Sequence, residues 1–368
     1  MDIEIKLQHV CKAFRIPGEF AGYKHLKMGN VNQTYRVFFD MPDKSIKSYI
    51  VQKVNTFAFR APEQLMHNAD LITEHIRARK QGQVALHYHH TKDRKTYVYD
   101  EDQGFWRLSN FISSHTYNNC ADEQILWETG AAFGEFQNML SDFPVEELYE
   151  TIPNFHDTPK RLLDLFEDVQ KDPMGRVKEV QEELAYIASV QEEAGTLTRL
   201  CKQGKLPLRV THNDTKINNI LFDPESKRAI AVVDLDTVMP GLVGHDFGDG
   251  VRFAANVADE DCPDCSQVSF DLDRFTAFTR GFLSQAGSAL TPMERDTLAL
   301  SAFAITIELA SRFLDDYLQG DLYFKIDYPT HNLVRARSQL ALAKDIHNKL
   351  DQMQKIVHAC SGMLCTAP

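Results

Sequence analysis

Apolar and polar positions alternate along the first third of the chain in the way that β-strands do. Residues 35–39 and 48–51 are rich in β-branched and aromatic side chains, and a Met-Pro-Asp-Lys turn separates them. Residues 96–108 repeat this pattern around a glycine, which is typical of an antiparallel hairpin. Apolar side chains at every third or fourth position predict a helix over 62–80. Residues 1–115 are therefore predicted to form a small β-rich lobe with one helix.

Helical periodicity dominates the rest of the chain. Three long segments carry it: residues 122–140, residues 159–200, which we predict to contain two helices, and residues 334–359. A β island interrupts the helices, with a short strand at 208–210 and a hairpin over 219–233. The pattern predicts an α+β fold, with a second and larger lobe over 116–368 that is mainly helical.

Charge and composition limit what these lobes can bind. The formal net charge of −12 argues against a nucleic-acid partner, although residues 1–110 carry 17 basic and 12 acidic side chains. The longest apolar run, 298–307, is too short to span a bilayer, so we expect a buried helix and no membrane partner. Seven cysteines without a disulfide framework, and a start without a signal peptide, predict a cytoplasmic protein. The oligomeric state is not indicated by any of these patterns.

The β island carries the residues best suited to chemistry. Asp214 lies in the loop after a strand, Asn219 begins the next strand, and Asp234 ends the returning strand. The hairpin therefore brings Asn219 and Asp234 to the same end, beside the loop of Asp214. Phosphoryl transfer from ATP needs a carboxylate base and hard oxygen ligands for Mg²⁺. We predict Asp214 as the base and Asn219 and Asp234 as the magnesium ligands, with a plain surface hairpin as the alternative.

The spacing of this motif is His-x-Asp-x-x-x-x-Asn, which resembles the catalytic loop of protein kinases. An Asp-Phe-Gly triplet at 246–248 spells the kinase metal motif, but it lies beyond the hairpin. We therefore keep Asp234 as the predicted ligand and expect Asp246 to order the loop through hydrogen bonds. Lys216 follows the base by two residues and is a candidate to neutralise the migrating phosphoryl group; a solvated lysine is the alternative.

Unusual runs extend the likeness over nearly the whole chain. They cover residues 29–35, 52–55, 133–138, 152–159, 207–216, 234–241 and 312–324. On these residues the chain resembles the aminoglycoside phosphotransferase-like superfamily and, within it, the N-acetylhexosamine 1-kinases. The resemblance implies a protein-kinase-like two-lobed fold with a catalytic β-hairpin. Residues 1–115 would then be the nucleotide-binding lobe and residues 116–368 the catalytic and substrate-binding lobe.

The resemblance also implies a reaction, the ATP- and Mg²⁺-dependent phosphorylation of the anomeric 1-hydroxyl of N-acetylglucosamine or N-acetylgalactosamine. Arg312 and Tyr323 resemble sugar-contacting positions. Glu308 lies four residues before Arg312, so the two side chains share a helix face and can pair. Two alternatives stay open. One is a related kinase for an amino alcohol, homoserine or an aminoglycoside, and the other is a nucleotide-binding scaffold without turnover.

The first lobe offers a loop for the nucleotide. Gly29, Asn32 and Thr34 lie where one strand turns into the next, and we expect them to contact ATP. The loop lacks the G-x-G-x-x-G pattern of protein kinases, and an ordinary hairpin is the alternative. Nucleotide contact is favoured because the rest of the kinase pattern is present.

A phosphate-binding lysine is expected on the third strand of a kinase-like lobe, and Lys53 is the candidate. Glu63 or Glu74 on the following helix would be its partner. Strand alternation places Gln52 on the opposite face from Lys53. If the Gln52 face looks toward ATP, the usual lysine is missing.

Overall fold

The computed structural model describes residues 2–26, 31–119 and 121–364. It contains an antiparallel sheet lobe followed by a larger helical lobe, which confirms the α+β fold predicted above. The helices are α1 Ile3–Ala13, α2 Pro62–Lys80, α3 Glu123–Met139, α4 Thr158–Lys171, α5 Gln181–Ala194, α6 Thr196–Lys202, α7 Val243–Ala254, α8 Leu272–Ala286, α9 Pro292–Gln319 and α10 His331–Leu364. The strands are β1 Glu19–Leu26, β2 Gln33–Asp40, β3 Ile46–Val54, β4 Tyr97–Tyr99, β5 Phe105–Asn110, β6 Arg209–Thr211, β7 Ile220–Phe222, β8 Ala229–Val232 and β9 Met239–Gly241.

The five-stranded sheet of the first lobe has the order β1-β2-β3-β5-β4, and every neighbouring pair is antiparallel. Alternate side chains of its central strands, including Val37, Val51 and Trp106, point to one face and are buried. Helix α1 covers that face with Leu7 and Val10, which belong to the same apolar cluster. Because side chains alternate along a strand, the residues between these point to the opposite face, toward the second lobe.

Helix α1 was not predicted from the sequence. The helix begins after Asp2, whose carboxylate accepts a hydrogen bond from the amide of Glu4 at 3.3 Å. Its buried residues, Leu7, Val10 and Cys11, recur at helical spacing. The periodicity was present in the sequence but short, and charged residues between the apolar positions obscured it.

The other predicted elements are confirmed, with one correction. The helix predicted over 62–80 is α2, and that predicted over 122–140 is α3. The segment 159–200 contains α4, α5 and most of α6, three helices instead of two, because the chain breaks again at Gly195. The segment 334–359 lies inside α10.

Two helices of the second lobe cross in very close contact. Helices α3 and α8 approach so closely that a Cβ on Gly281 would lie 2.0 Å from the carbonyl oxygen of Trp127. A Cβ on Gly130 would lie equally close, at 2.0 Å, to the carbonyl oxygen of Phe278. Glycine at both positions is therefore a condition for this crossing, because a side chain would force the helices apart.

Helix α9 is apolar and long enough, by length and composition alone, to cross a membrane. Most of that apolar stretch is buried inside the chain, against α4, α7 and α10. Residues 298–307 lie in this helix, as predicted for a buried helix. Packing within the lobe therefore accounts for its apolar character.

The β island places the catalytic loop beside the sheet lobe. Strand β6 pairs with β9, and β7 pairs with β8 to form the predicted hairpin. Strand β5 ends at Asn110 and α3 begins at Glu123, so the predicted boundary at 115 falls in the connecting segment. His115 in that segment exchanges two backbone hydrogen bonds with Phe222, at 2.8 and 2.9 Å, and so ties the connector to the hairpin.

Candidate active site

The loop between β6 and β7 is fixed by hydrogen bonds to a buried carboxylate on α7. Asp246 on α7 accepts hydrogen bonds from the amides of His212 and Asn213, at 2.9 and 2.8 Å. Gln137 of α3 donates a third, at 2.7 Å. The prediction that Asp246 orders this loop is confirmed. These bonds fix the backbone immediately before Asp214, where Asn213 has a left-handed φ of 63°.

The structure brings together the predicted base and two of its predicted neighbours. Asn219 donates through Nδ2 to the Asp214 carbonyl oxygen at 2.8 Å and to its Oδ2 at 3.0 Å. Lys216 Nζ lies 3.1 Å from Oδ1 of the same carboxylate. The Asp214 carboxylate raises the pKa of Lys216, so the lysine stays protonated beside it. Both side chains remain partly open to solvent, so a small molecule could reach them.

Asp234 stands at the end of the returning strand, as predicted. It has a left-handed φ of 63° and precedes a 3-10 turn, Leu235–Thr237. The side chain is accessible to solvent, but the surrounding protein reduces its hydration, and the carboxylates of Asp236 and Asp214 repel it. Together these effects raise the pKa of Asp234 to about 7.

A divalent cation fits this concentration of negative charge. It would relieve the repulsion that raises the pKa of Asp234, and carboxylate and amide oxygens suit Mg²⁺. The Nδ2 group of Asn219 donates its hydrogen bonds to Asp214, and its Oδ1 accepts no hydrogen bond from the described residues. Across residues 2–26, 31–119 and 121–364, no group of three His, Cys, Asp or Glu side chains could hold a metal. Asn219 Oδ1 is an amide oxygen that could act as a ligand beside the carboxylates.

A hydrogen-bonded network joins the sheet lobe to this turn. Asp236 is buried and accepts from Arg107 Nη1 and, at 2.7 Å, from Asn32 Nδ2. Arg107 Nε donates to Gln52 Oε1 at 2.9 Å, and Gln52 Nε2 donates to Thr34 Oγ1 at 3.1 Å. The sheet face that carries Gln52 is thus the one that meets the catalytic hairpin. Asn32 and Thr34, both predicted nucleotide contacts, lie in this network.

Lys53 lies on the other face, and the prediction that it contacts ATP is corrected by this placement. Strand alternation turns its side chain toward α1, and its Nζ lies 5.9 Å from the ring centre of Trp106. Glu63 and Glu74 bond to other side chains, and neither forms an ion pair with Lys53 in the part of the chain that is described. Gly29, the remaining predicted contact, lies outside the described residues.

An arginine among aromatic rings forms a second wall of the site. The Arg312 guanidinium lies 5.0 Å from the ring centre of Phe155, 5.9 Å from Tyr323 and 5.6 Å from Phe324. Asp316 accepts the backbone amides of Tyr323 and Phe324, at 2.7 and 2.9 Å, and so fixes the loop that carries the rings. Tyr323 keeps 64% of its surface exposed. The structure therefore brings the two predicted sugar contacts, Arg312 and Tyr323, together.

The expected pairing of Glu308 with Arg312 is replaced by another. Glu308 accepts from His156 Nδ1 and from Thr158 Oγ1, each at 2.7 Å. Burial alone would raise the pKa of Glu308, but His156 and the hydrogen bonds outweigh it and lower the pKa. His156 Nε2 lies 3.4 Å from the Asn213 carbonyl oxygen, so this pair links the arginine wall to the catalytic loop.

Arg161 is a second guanidinium at this wall, and sequence analysis missed it. Its Nε donates to the Phe155 carbonyl oxygen at 3.3 Å. Burial and the neighbouring charge of Arg312 lower the pKa of Arg161. Among the described residues, no carboxylate lies within ion-pair distance of either arginine. The sequence held no signal for Arg161, because it sits 151 residues from Arg312 in an ordinary charged helix.

A sheet lobe and a helical lobe that meet at a base, an amide and a carboxylate define a protein-kinase-like phosphotransferase. The chain belongs to the phosphotransferase enzyme family (APH), whose family model matches residues 25–266. It is a small-molecule phosphotransferase of that family.

Solved structures share the fold at low sequence identity. An amicoumacin kinase, solved with AMP-PNP and Ca²⁺, is 13% identical, with a TM-score of 0.60 over 95% of this chain and 94% of its own. An aminoglycoside phosphotransferase from Alicyclobacillus acidocaldarius is also 13% identical, with a TM-score of 0.61 over 96% of both chains. A choline kinase from Cryptosporidium parvum is 12% identical, with a TM-score of 0.55 over 96% of this chain and 98% of its own. These likenesses confirm the predicted kinase-like fold.

Proposed function

We propose that this phosphotransferase transfers the γ-phosphoryl group of ATP to the anomeric 1-hydroxyl of N-acetylhexosamines, N-acetylglucosamine or N-acetylgalactosamine. Residues 1–115 would bind the nucleotide, and residues 116–368 would carry the catalytic groups and the sugar. The observation that carries the proposal is the position of Asp214. It lies between the charged network of the sheet lobe and, through the contact of Asn213 with His156, the wall formed by Arg312 and its aromatic rings.

In the proposed reaction the Asp214 carboxylate orients the sugar 1-hydroxyl and accepts its proton. The hydroxyl oxygen forms the new bond to the γ-phosphorus as the bond from that phosphorus to the β,γ-bridging oxygen breaks, and ADP leaves with the electron pair. Asn219 holds Asp214 through its 3.0 Å bond to Oδ2, which leaves the carboxylate one defined orientation. Lys216, protonated and 3.1 Å from Oδ1, places positive charge where the phosphoryl group passes.

Asn219 and Asp234 are the residues that would hold Mg²⁺. The chemistry that the cation supplies when bound is neutralisation of charge on the nucleotide phosphates. The use of ATP and a divalent ion is supported by the amicoumacin kinase, which was solved with AMP-PNP and Ca²⁺. The contribution of the chain itself is to hold Asp234 at the start of a tight turn, close to the base.

The acceptor side favours an uncharged, oxygen-rich substrate. Arg161 and Arg312 stand near one another, and no carboxylate among the described residues lies within ion-pair distance of either, so the two guanidinium groups outnumber the nearby Glu308 carboxylate, which attracts both. A choline or an aminoglycoside would bring its own positive charge to this wall and be repelled. Sugar hydroxyls and an acetamido carbonyl can instead accept hydrogen bonds from guanidinium groups.

An acceptor panel tests the proposal. The enzyme is incubated with ATP, Mg²⁺ and either an N-acetylhexosamine, a choline-like amino alcohol, homoserine or an aminoglycoside, and the product is identified by ³¹P NMR. We expect a glycosyl 1-phosphate from the N-acetylhexosamines alone. Transfer to a cationic acceptor would identify a related kinase of different specificity, and the absence of transfer to every acceptor would indicate a nucleotide-binding scaffold.

A further inference from the structure

Arg107 is an unusual residue for its position. It lies on β5 between Trp106 and Leu108, which are buried against α1, and its own side chain is also buried, with 1% of its surface exposed. Arginine is rarely buried without a partner, because desolvating its charge is costly. The partner here is Asp236, whose side chain is 4% exposed. The pair joins residues that are 129 positions apart and belong to different lobes.

Asp236 is placed so that this pair acts on the metal end of the cleft. It lies two residues after Asp234, inside the tight turn that Asp234 begins. Its two carboxylate oxygens are held from the sheet lobe, Oδ1 by Arg107 and Oδ2 by Asn32. These bonds from the sheet lobe fix the position of the turn. They therefore also fix the position of Asp234, which begins the turn.

The pairing of β3 with β5 explains why the positive charge at this position is carried by Arg107 on β5 and not by a residue on β3. The register pairs Gln52 of β3 with Arg107 of β5, and the two side chains hydrogen-bond at 2.9 Å on the cleft face. Lys53 is turned to the other face of the sheet. Gln52 is neutral, so on this face Arg107 supplies positive charge to the hairpin through its bond to Asp236.

We infer that Arg107 is the positioning residue of the nucleotide end: through Asp236 it fixes the turn that presents Asp234. This inference rests on the proposed kinase function. Arg107 is not a catalytic residue, since its guanidinium is enclosed by Asp236 and Gln52 and is not open to substrate. Without the charge of Arg107, Asp236 would keep only the bond from Asn32, and the turn would lose its ion pair with the sheet lobe.

Three variants test the inference. Arg107→Met removes the charge, Arg107→Lys keeps it but loses the planar fork that bonds Asp236 and Gln52 together, and Lys53→Met is the matched control on the opposite face. Each is measured for MgADP affinity by calorimetry, for the Mg²⁺ concentration that gives half-maximal turnover, and for the KM of the acceptor. Circular dichroism and thermal melting establish that each variant is folded.

We expect Arg107→Met to weaken MgADP binding and raise the Mg²⁺ requirement by about tenfold or more, as for loss of a charge-assisted hydrogen bond. The acceptor KM should stay within about twofold, which a general loss of structure would not spare. Arg107→Lys should fall between, and Lys53→Met should match the parent enzyme. Equal losses in nucleotide affinity and acceptor KM, or a loss confined to Lys53→Met, would overturn the inference.

If Arg107→Met does not fold, the test rests on Arg107→Lys. Unchanged MgADP affinity and Mg²⁺ requirement in that variant would overturn the inference, because the guanidinium group would then not be what fixes the turn. Calorimetry with MgADP needs no acceptor. A wrong sugar assignment would therefore leave the nucleotide result intact, whereas a failure of this inference would appear in nucleotide binding whatever the acceptor is.

Discussion

The two ends of the cleft, which we propose to bind the nucleotide and the acceptor, are built in different ways. At the nucleotide end, buried side chains bond to one another, and Asp236 receives bonds from both Arg107 and Asn32. At the acceptor end, Arg312 is only partly buried and packs on rings without an ion-pair partner in the described chain, and Tyr323 is 64% exposed. The buried side chains of the first end satisfy one another, whereas the Arg312 guanidinium of the second makes no hydrogen bond within the described residues.

The difference matches the work assigned to each end. In the proposed reaction the nucleotide and its metal ion are the same in every turnover, so a site that is assembled in advance would serve them. Acceptors differ among the solved relatives, which include an amicoumacin kinase and a choline kinase. Tyr323 and Phe324 lie on a loop anchored by Asp316, outside the β-hairpin and the loop of Asp214, so these rings can differ between relatives while the hairpin keeps its structure.

The largest expected effect is a loss of turnover on substitution of Asp214, which lies where the two ends of the cleft meet. Asp214→Asn keeps the size of the side chain and an oxygen for Asn219 to bond, but it removes the base. We expect kcat to fall by about 10²–10⁴, with the melting temperature unchanged. Steady-state kinetics measure this, and Glu225→Gln, an exposed change in the same hairpin, is the control. Near-normal turnover of Asp214→Asn would remove Asp214 from its proposed role.

The next effect should separate the two ends. Arg312→Ala removes a charged donor from the acceptor wall, and we expect the KM for the sugar to rise by about 10- to 100-fold. The KM for ATP should change little, because Arg312 makes no contact with the hairpin or the sheet lobe in the described structure. Arg280→Ala, an exposed arginine on α8, is the control. A larger change in the ATP KM than in the sugar KM would contradict the division of the cleft.

Tyr323 offers a finer test of the same wall. Tyr323→Ala should raise the KM for the sugar by about two- to fivefold, since an exposed ring gives a guanidinium only modest support. Tyr323→Phe, which keeps the ring, should stay close to the parent enzyme. A Tyr323→Phe variant as impaired as Tyr323→Ala would show that the hydroxyl, and not the ring, makes the contact.

The smallest effect concerns a carboxylate on α9 behind this wall. Burial and the nearby charges of Asp168 and Asp164 raise the pKa of Asp315 from 3.8 to about 6. A raised carboxyl pKa favours folding below pH 4, and that contribution is lost as the pH rises through 6. Asp315→Asn is always neutral, so at pH 8 it should stabilise the protein by about 1–2 kcal/mol and raise Tm by about 1–3 °C.

The pH dependence is the control for that variant. At pH 4 the parent carboxyl is largely protonated, so Asp315→Asn and the parent should melt together. Thermal melts at pH 4 and pH 8 make the comparison. Stabilisation that is equal at both pH values would mean that charge on Asp315 is not the cause.

Sequence reasoning predicted the contacts of the candidate site that are local in the chain. Asp214, Lys216 and Asn219 fall within six residues of one another, and the hairpin turn that brings Asp234 back is short, so spacing and strand pattern sufficed. The helical and sheet lobes followed from periodicity in the same way. Residues that meet within one supersecondary unit can be predicted, because the geometry of that unit is known in advance.

The parts that were missed depend on contacts between distant segments. Arg107 and Asp236 lie on different lobes. Glu308 accepts a hydrogen bond from His156, which is 152 residues away, and does not pair with Arg312, which is one helical turn away. One signal was available: Arg107 is a charged residue inside an otherwise apolar strand, which predicts a buried partner. Nothing in the sequence could say which carboxylate that partner is.

The most direct test of the account is the position of the new phosphate. N-acetylglucosamine and its 1-O-methyl glycoside are each incubated with ATP, Mg²⁺ and the enzyme, and the products are followed by ³¹P NMR. The account predicts a glycosyl 1-phosphate from the free sugar and no phosphoryl transfer to the glycoside, whose anomeric oxygen carries no proton for Asp214 to accept. A phosphorylated methyl glycoside, or a phosphate on any other hydroxyl of the free sugar, would contradict it.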